Sequence, residues 1–418
     1  MIYNKSTYNS EWDISPLNKL GDFRRGKSKH RPRNDPKLFV NGKYPFIQTG
    51  DIKASNLYIE SHSSSYNDLG LQQSKLWDTG TLCITIAANI AETAVLSYPM
   101  CFPDSVVGFV ADKNKTSELF MHYVFSYIKK SIQNSAIGSI QDNIDIEVLT
   151  NLDFKVPKKP LQDKIVELLS AIDLTIALNN KINKELELMA KTLYNYWFIQ
   201  FDFPDENGKP YKTSGGEIEY NKILRKKIPK GWKGLLLKDW LEFERGVEPL
   251  SANYSSSKIS DEYIPFYKVR DMEGECSTWI PKERAGPSLA TEKDILVSFD
   301  GTIGKIAIGL NGAYSTGIRK IYQKKGYFPK SYIYFIFQSE KIQKTIKRKA
   351  NPGSNIVHAA SSINFLSVAY DEKVVKLYNQ QTEGIFNKIL HNKLQNKELM
   401  RLKDFLLPLF MIGQAKVN

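Results

Sequence analysis

The stretch NNKINKELELMAKTLYNYWF (residues 179–198) returns in a near copy, HNKLQNKELMRLKDFLLPLF, at residues 391–410. Both have a helical pattern, and both place asparagine on the apolar stripe. Extended upstream, the first pattern runs through Ile165, Leu169, Ile172, Ile176, Asn179, Asn183, Leu186, Ala190, Leu193 and Trp197. The second runs through Val375, Tyr378, Thr382, Ile385, Ile389, Asn392, Asn396, Leu399, Lys403, Leu406 and Phe410. A 3-4 alternation of this length is a heptad seam, so each copy is expected to be one long helix. A buried asparagine lowers stability but fixes register and discourages other pairings, which predicts that the two helices are each other's partners. Thr382 and Lys403 interrupt the second seam and leave open two amphipathic helices packed on separate globules. Some forty residues at 1.5 Å each give a helix of roughly 60 Å. Antiparallel pairing would hold two globules apart about a pseudo-two-fold, and parallel pairing would set them side by side.

Upstream of each helix the chain is also written twice. Trp12, Leu17, Phe23, Arg25 and Gly26 recur at the same spacing as Trp232, Leu237, Phe243, Arg245 and Gly246, an offset of 220. YPFIQTGDI (44–52) answers IPFYKVRDM (264–272) at that offset. The offset shrinks to 215 at Gly138-Ser139 against Gly353-Ser354, and to about 213 in the long helices, as short loop deletions produce. Each copy opens with short β-type runs such as GTLCITIA (80–87) and DILVSF (294–299), broken by Gly, Pro, Asn and Ser. Each also carries one amphipathic helix pattern, at 117–134 and 330–348. The expected fold class is α+β: two repeated mixed α/β globules separated by two long antiparallel coiled-coil helices. The boundaries are a first globule at 1–157, a helix at 158–203, an exposed connection at 204–230, a second globule at 231–370 and a last helix at 371–413.

Composition narrows the function. A chain of 418 residues exceeds what one core usually supports, and 42% hydrophobic with 12% aromatic content argues against long disorder. Fifty-eight Lys and Arg against 45 Asp and Glu give a formal charge of +13, which favours a polyanionic partner, nucleic acid before anionic lipid. No apolar run is long enough to span a membrane and residues 1–13 lack a signal-peptide core, so a cytoplasmic chain without a membrane partner is expected. Cys83, Cys101 and Cys276 form no C-x-x-C, and the five histidines show no ligand spacing; no metal site is predicted. GTIG (301–304) lacks the lysine and helix of a phosphate loop, NPGS (351–354) lacks the second proline and aromatic of an amino-methyltransferase motif, and no nucleophile-base arrangement is visible. The chain reads as a binder and not a catalyst.

The strongest local signal is FRRGKSKHRPRND (23–35). Arg24, Arg25, Lys27, Lys29, His30, Arg31 and Arg33 fall on a stretch that Gly26 and Pro32 force into a loop, suited to phosphates and guanine edges. The same loop could be solvated, or its arginines paired with local acids. The second copy has FERGVEPLSANYSSSKISDE there, far less basic beyond Arg245. Two frames carrying different loops would read different sequences. Gln48 and Thr49 in the first copy, and Lys268 and Arg270 in the second, are further candidates, with Asp51 and Asp271 as turn caps. Thr302, Lys305, Thr316 and Arg319 form a weaker polar set.

Two variable globules, each followed by a long helix, with YNYWFIQFDFPDENGKPYKTSGGEI (194–218) at the junction, resemble the specificity subunit of type I restriction-modification systems. The resemblance covers essentially the whole chain and is most specific in the W-F-x-x-F-D-F-P-D-E-N-G-K-P-Y run; the F-x-R-G and P-F-x-x-x-x-D repeats and GKSKHRPRNDP are similar to target recognition domains of that family. It implies a non-catalytic subunit that binds double-stranded DNA at a bipartite, asymmetric site, one half per domain. It further implies paired helices that act as a spacer and dock two modification methyltransferase subunits using S-adenosylmethionine. A restriction subunit could join, adding ATP- and Mg-dependent translocation and cleavage. This chain itself would hold no cofactor. Three other readings stay open: an orphan or anti-restriction DNA-binding protein of the same architecture, a nuclease with two recognition domains, and an adaptor for acidic proteins.

Overall fold

The computed structural model describes residues 2–137, 146–352 and 357–416. Gly138-Ser139 and Gly353-Ser354, whose match marks a shift of offset, lie outside the described residues. The chain divides into two compact units, Met1–Leu178 with Asn396–Asn418, and Asn179–Gln395. Each unit therefore takes in a part of both long helices.

In the first unit, strands too short to be stable alone assemble into two sheets. One has the order β2 (Gly21–Arg25), β10 (Val106–Ala111), β7 (Leu82–Thr85), β8 (Thr93–Leu96), β4 (Tyr58–Ile59). The other has the order β5 (Ser64–Tyr66), β3 (Tyr44–Phe46), β9 (Met100–Cys101), β6 (Leu76–Trp77). A two-stranded ladder joins β1 (Asp13–Pro16) to β11 (Asp153–Val156). Helices α1 (Thr49–Ala54), α2 (Asp68–Gln72), α3 (Glu118–Ile137) and α4 (Ile146–Thr150) complete the domain. The core lies between the larger sheet and α3, where Val107 and Phe109 of β10 meet Phe120, Val124 and Ile128.

The second unit repeats that topology, except that the first unit's edge strand β4 has no counterpart. Its larger sheet has the order β15 (Leu241–Arg245), β22 (Ile318–Gln323), β19 (Ile295–Ser298), β20 (Ile306–Ala307), and its smaller one β17 (Trp279–Pro281), β16 (Tyr263–Tyr267), β21 (Gly312–Tyr314), β18 (Leu289–Ala290). A ladder again joins the first strand of the globule, β14 (Lys233–Leu236), to the last, β25 (Ser367–Tyr370). A short β23–β24 pair (Asn351–Pro352, Val357–His358) and α6 (Lys330–Gln338) with α7 (Glu340–Arg348) take the place of the first unit's single long α3. The pattern expected to be one helix over 330–348 breaks at Ser339, whose backbone is extended. The connection at 204–230 is more structured than its composition suggests. It contains the hairpin β12 (Ile218–Asn221) and β13 (Lys226–Pro229), and Phe203 and Ile228 are buried with Trp232 in the second unit's core.

The repeated F-x-R-G has a steric cause. Gly26 ends β2 against the chain leaving β9, where an added Cβ would lie 2.4 Å from both the Phe102 and Pro103 carbonyl oxygens. Gly246 ends β15 in the same way, 2.2 Å from the Tyr314 oxygen and 2.3 Å from that of Ser315. Backbone cannot retract as a side chain can, so either position excludes any larger residue.

The long helices are α5 (Lys159–Tyr194), followed by a π-helical turn at Asn195–Ile199, and α8 (Glu372–Met411). Within each unit their segments run antiparallel. In the first, Ile165 and Leu169 join Leu407, Phe410 and Met411 in one core, and Lys403 Nζ lies 2.6 Å from Asp173 Oδ1. In the second, Tyr378 Oη donates to the Ala190 carbonyl at 2.9 Å, and Asn392 Nδ2 donates to Asn183 Oδ1 at 2.9 Å. Along α5, Ile165, Leu169, Ile172, Ile176, Asn179 and Asn183 are buried, while Leu186 and Leu193 are half-buried. Along α8, Tyr378, Thr382, Ile389, Asn392 and Asn396 are buried, and Ile385, Leu399 and Leu406 half-buried. Phe386 and Leu407, one residue beyond two of those seam positions, are buried instead. The two seam blemishes are resolved locally: Thr382 Oγ1 donates to the Tyr378 carbonyl one turn back, and Lys403 finds Asp173.

Two stability predictions follow from these contacts. Gly26→Ala should lower unfolding free energy by about 1–3 kcal/mol, measured by urea titration, with Gly246→Ala doing the same. Asn183→Leu should cost about 1–3 kcal/mol because it strands the buried Asn392 amide, and Asn183→Leu/Asn392→Leu should recover most of that loss; a denaturant double-mutant cycle reads the difference.

Candidate nucleic-acid interface

The basic loop follows β2, and its geometry comes from three anchors. Ser74 Oγ donates to the Lys27 carbonyl at 2.9 Å, His30 N donates to Gln73 Oε1 at 3.1 Å, and Asp35 caps the turn at 36–38 by accepting from Lys37 N at 3.0 Å. That backbone bond, followed by the His30 ring 2.8 Å away, holds the Asp35 carboxyl below the usual range. Arg33 pairs with Asp104 at 2.7 Å, and Arg31 lies 3.7 Å from the same carboxylate while donating to the Ser28 carbonyl. Part of the loop's charge is thus matched locally. Arg24 pairs with Asp22 at 2.8 Å on an exposed face of β2. Arg25, Lys27 and Lys29 are exposed and form no ion pair among the described residues. Those three are the cations best placed for phosphate.

Gln48 is exposed and Thr49 half-buried at the start of α1. Asp51 caps that helix by accepting from Gln48 N at 2.7 Å. Among the described residues no hydrogen bond or ion pair links Gln48 or Thr49 to the basic loop. The second unit repeats the cap, with Asp271 accepting from Lys268 N at 3.0 Å. Lys268 then lays its ammonium 4.1 Å from the centre of the Tyr254 ring, and Arg270 stays exposed, donating to Ser277 Oγ at 3.1 Å.

The weaker set in the second unit separates on burial. Arg319 is 8% exposed and donates to the Thr316 and Ile318 carbonyls. Burial, then the Arg245 guanidinium opposite it in the β15–β22 register, draws its pKa below the ordinary arginine range. It braces a turn and leaves the candidate set. Lys305 is largely covered and pairs with Glu273 at 2.6 Å, so its charge is already matched. Thr302 is exposed, with its carbonyl accepting from Ser298 Oγ. Arg245 is exposed at the end of β15.

Sequence reasoning missed the acids and aromatics that shape both loops. Asp104 grips the first loop's arginines. Position 316, 212 residues on, carries Thr316, which donates to Glu248 of the second loop at 3.1 Å. Tyr254 donates to Glu248 at 2.9 Å, and burial, then that carboxylate, pushes its hydroxyl up to about 12. The sequence offsets of 220, 215 and 213 do not align 104 with 316; the shift of 212 emerges from the strand pairing, where Phe46 faces Cys101 and Phe266 faces Ala313. Among the described residues no group of three or more His, Cys, Asp or Glu is arranged to hold a metal, and no helix is long and apolar enough to cross a membrane.

The family model for the type I restriction modification DNA specificity domain matches residues 9–188 and again 229–360, one match for each copy. The chain belongs to that family. This specificity chain is 23% identical to the type I restriction enzyme MjaIX specificity subunit of Methanocaldococcus jannaschii, over 98% of its own length and 94% of the relative's. It is 21% identical to the HindI specificity subunit of Haemophilus influenzae, over 91% and 97%. Its fold is shared with the crystal structure of the type I restriction-modification S subunit from M. genitalium, at a TM-score of 0.54 and 15% identity over 98% and 99% of the two chains.

If Lys27 and Lys29 of the specificity chain each meet a phosphate, Lys27→Ala/Lys29→Ala should weaken DNA binding at every sequence and reduce the slope of log affinity against log salt by about 2. Fluorescence anisotropy at several salt concentrations measures both.

Proposed function

We propose that this chain is the DNA sequence-recognition subunit of a type I restriction-modification complex, with each unit reading one half of a bipartite, asymmetric site. The observation that carries the proposal is a constant frame with unlike loops. The two units repeat the same strand order in both sheets, apart from the edge strand β4 that only the first unit has. Yet between the second strand and the P-F strand the first carries six cations against one acid (26–43), and the second one lysine against three acids (246–262). A fixed sheet holding variable loops presents different side chains to base edges at one geometric position, which is what two different half-sites require. The first loop would use unpaired cations on phosphate. The second, less basic, would depend more on Arg245, Lys268 and Arg270.

The chemistry then belongs to other subunits. Two modification methyltransferase subunits would dock on the paired helices and methylate adenine with S-adenosylmethionine, and a restriction subunit would bring ATP- and Mg-dependent translocation and cleavage. This chain would hold no cofactor, and its place would be the cytoplasm.

Expression with a neighbouring methyltransferase subunit in a methylation-free host, followed by long-read mapping of modified adenines, tests the reading. A split motif should appear only when this chain is present. Replacing residues 26–43 with the corresponding loop of a relative should alter the first half of the motif and leave the second unchanged. A stable complex that methylates no motif would count against the proposal.

A further inference from the structure

The two units close their helix segments with unlike chemistry at equivalent positions. In the first, Lys403 Nζ meets Asp173 Oδ1 at 2.6 Å, with the aspartate side chain 10% and the lysine 22% exposed. Tyr123 Oη donates to the other carboxylate oxygen at 2.8 Å, so Asp173 is bound on both sides. The offset of 213 residues between the helices maps Asp173 onto Phe386 and Lys403 onto Ala190. In the second unit Phe386 and Ala190 are both buried in one apolar cluster, at 4% and 0% exposure. One closure therefore carries an ion pair where the other carries apolar residues.

That difference matters because the helices are otherwise alike. An α5 segment could pair antiparallel with α5 of a second copy, and α8 with another α8. The asparagines do not prevent this, since positions 179 and 392 are both asparagine and Asn183 would find an amide in either arrangement. Asp173 does prevent it. In an α5–α5 pair it would stand opposite Ala190 of a second copy, buried without the ammonium of Lys403 that it contacts here. In an α8–α8 pair Lys403 would stand opposite Phe386. Stranding a buried charge is strongly unfavourable, whereas the matched pair itself adds little net stability.

We infer that the Asp173–Lys403 contact is a partner-selection device: it makes the α5 seam fit α8 and refuse a second copy of α5, so that the first unit closes with one segment of each helix. The ion pair is retained for that discrimination more than for the stability of the fold.

The test uses the full chain and needs neither DNA nor a partner subunit, so it stands apart from the recognition proposal. Asp173→Phe/Lys403→Ala imports the second unit's apolar pair and renders each helix self-complementary. Asp173→Lys/Lys403→Asp keeps the ion pair with its charges exchanged. Each protein is unfolded in urea, refolded so that every helix can choose its partner, and followed by light scattering and sedimentation over a range of concentrations. The apolar variant should melt below the parent by no more than the loss of the Tyr123 hydrogen bond, yet self-associate at least about a hundredfold more tightly. The exchanged variant should match the parent in association state, with melting lowered only by the lost Tyr123 hydrogen bond. Apolar and parent chains that self-associate equally would overturn the inference, leaving an ordinary structural ion pair. If the apolar variant does not refold, Asp173→Lys alone decides. Its melting should fall and be restored in part by adding Lys403→Asp, and a single variant with the parent's melting temperature and association state would overturn the inference.

Discussion

Each recognition unit depends on burying helix segments that are remote in sequence. In the first unit, Ile165 and Leu169 come from the helix that directly follows the sheets, but Leu407, Phe410 and Met411 come from the other end of the chain. A fully buried leucine or phenylalanine contributes about 1.5–3 kcal/mol, so these few residues match the whole net stability typical of a domain. Buried Asn4 reinforces the closure, donating to both the Lys155 and Met411 carbonyls. Gly413 packs against Tyr8 and Trp12. Neither half of the sequence contains a finished first unit.

The second unit meets the same demand with aromatic surface. Tyr194, Trp197 and Phe198 at the end of α5 pack with Tyr332 of α6, Tyr378 of α8 and Trp232 at the start of the globule. The π-helical turn at Asn195–Ile199 rotates this cluster away from a continuing α-helix, and both Trp197 and Phe198 become buried. The W-F-x-x-F-D-F-P segment is therefore core and connection together. Phe201 and Phe203 lie at 5.6 and 4.9 Å from the Trp232 ring, and Asp202 accepts from both the backbone and the hydroxyl of Thr213.

The unlike loops are separated from this framework by position. The repeated glycines, capping aspartates and strand order sit where backbone meets backbone and tolerate little change. The loops after β2 and β15 carry side chains tethered at a few points, Asp104 in one unit and Thr316 in the other. A frame of this kind lets the loops differ between the halves without disturbing the sheets, because the tethers are exposed, individually weak contacts.

By itself the sequence determined the duplication, the long helices and the asparagine-bearing seam. Those features are written as periodicity and spacing, which local chain geometry imposes without reference to distant residues. The F-x-R-G and P-F-x-x-x-x-D repeats likewise announced a shared frame. Tertiary structure decided what patterns of residue type cannot carry. Arg319 and Lys305 look like free cations in sequence, yet one is buried between its sheet neighbours and the other is paired with Glu273, because both outcomes depend on residues remote in sequence. Asn183 bonds Asn392, Lys403 meets Asp173, and the residues at 204–230 fold into a hairpin beside a buried tryptophan. Each of those outcomes is a choice of partner across a large sequence separation, and only packing selects the partner.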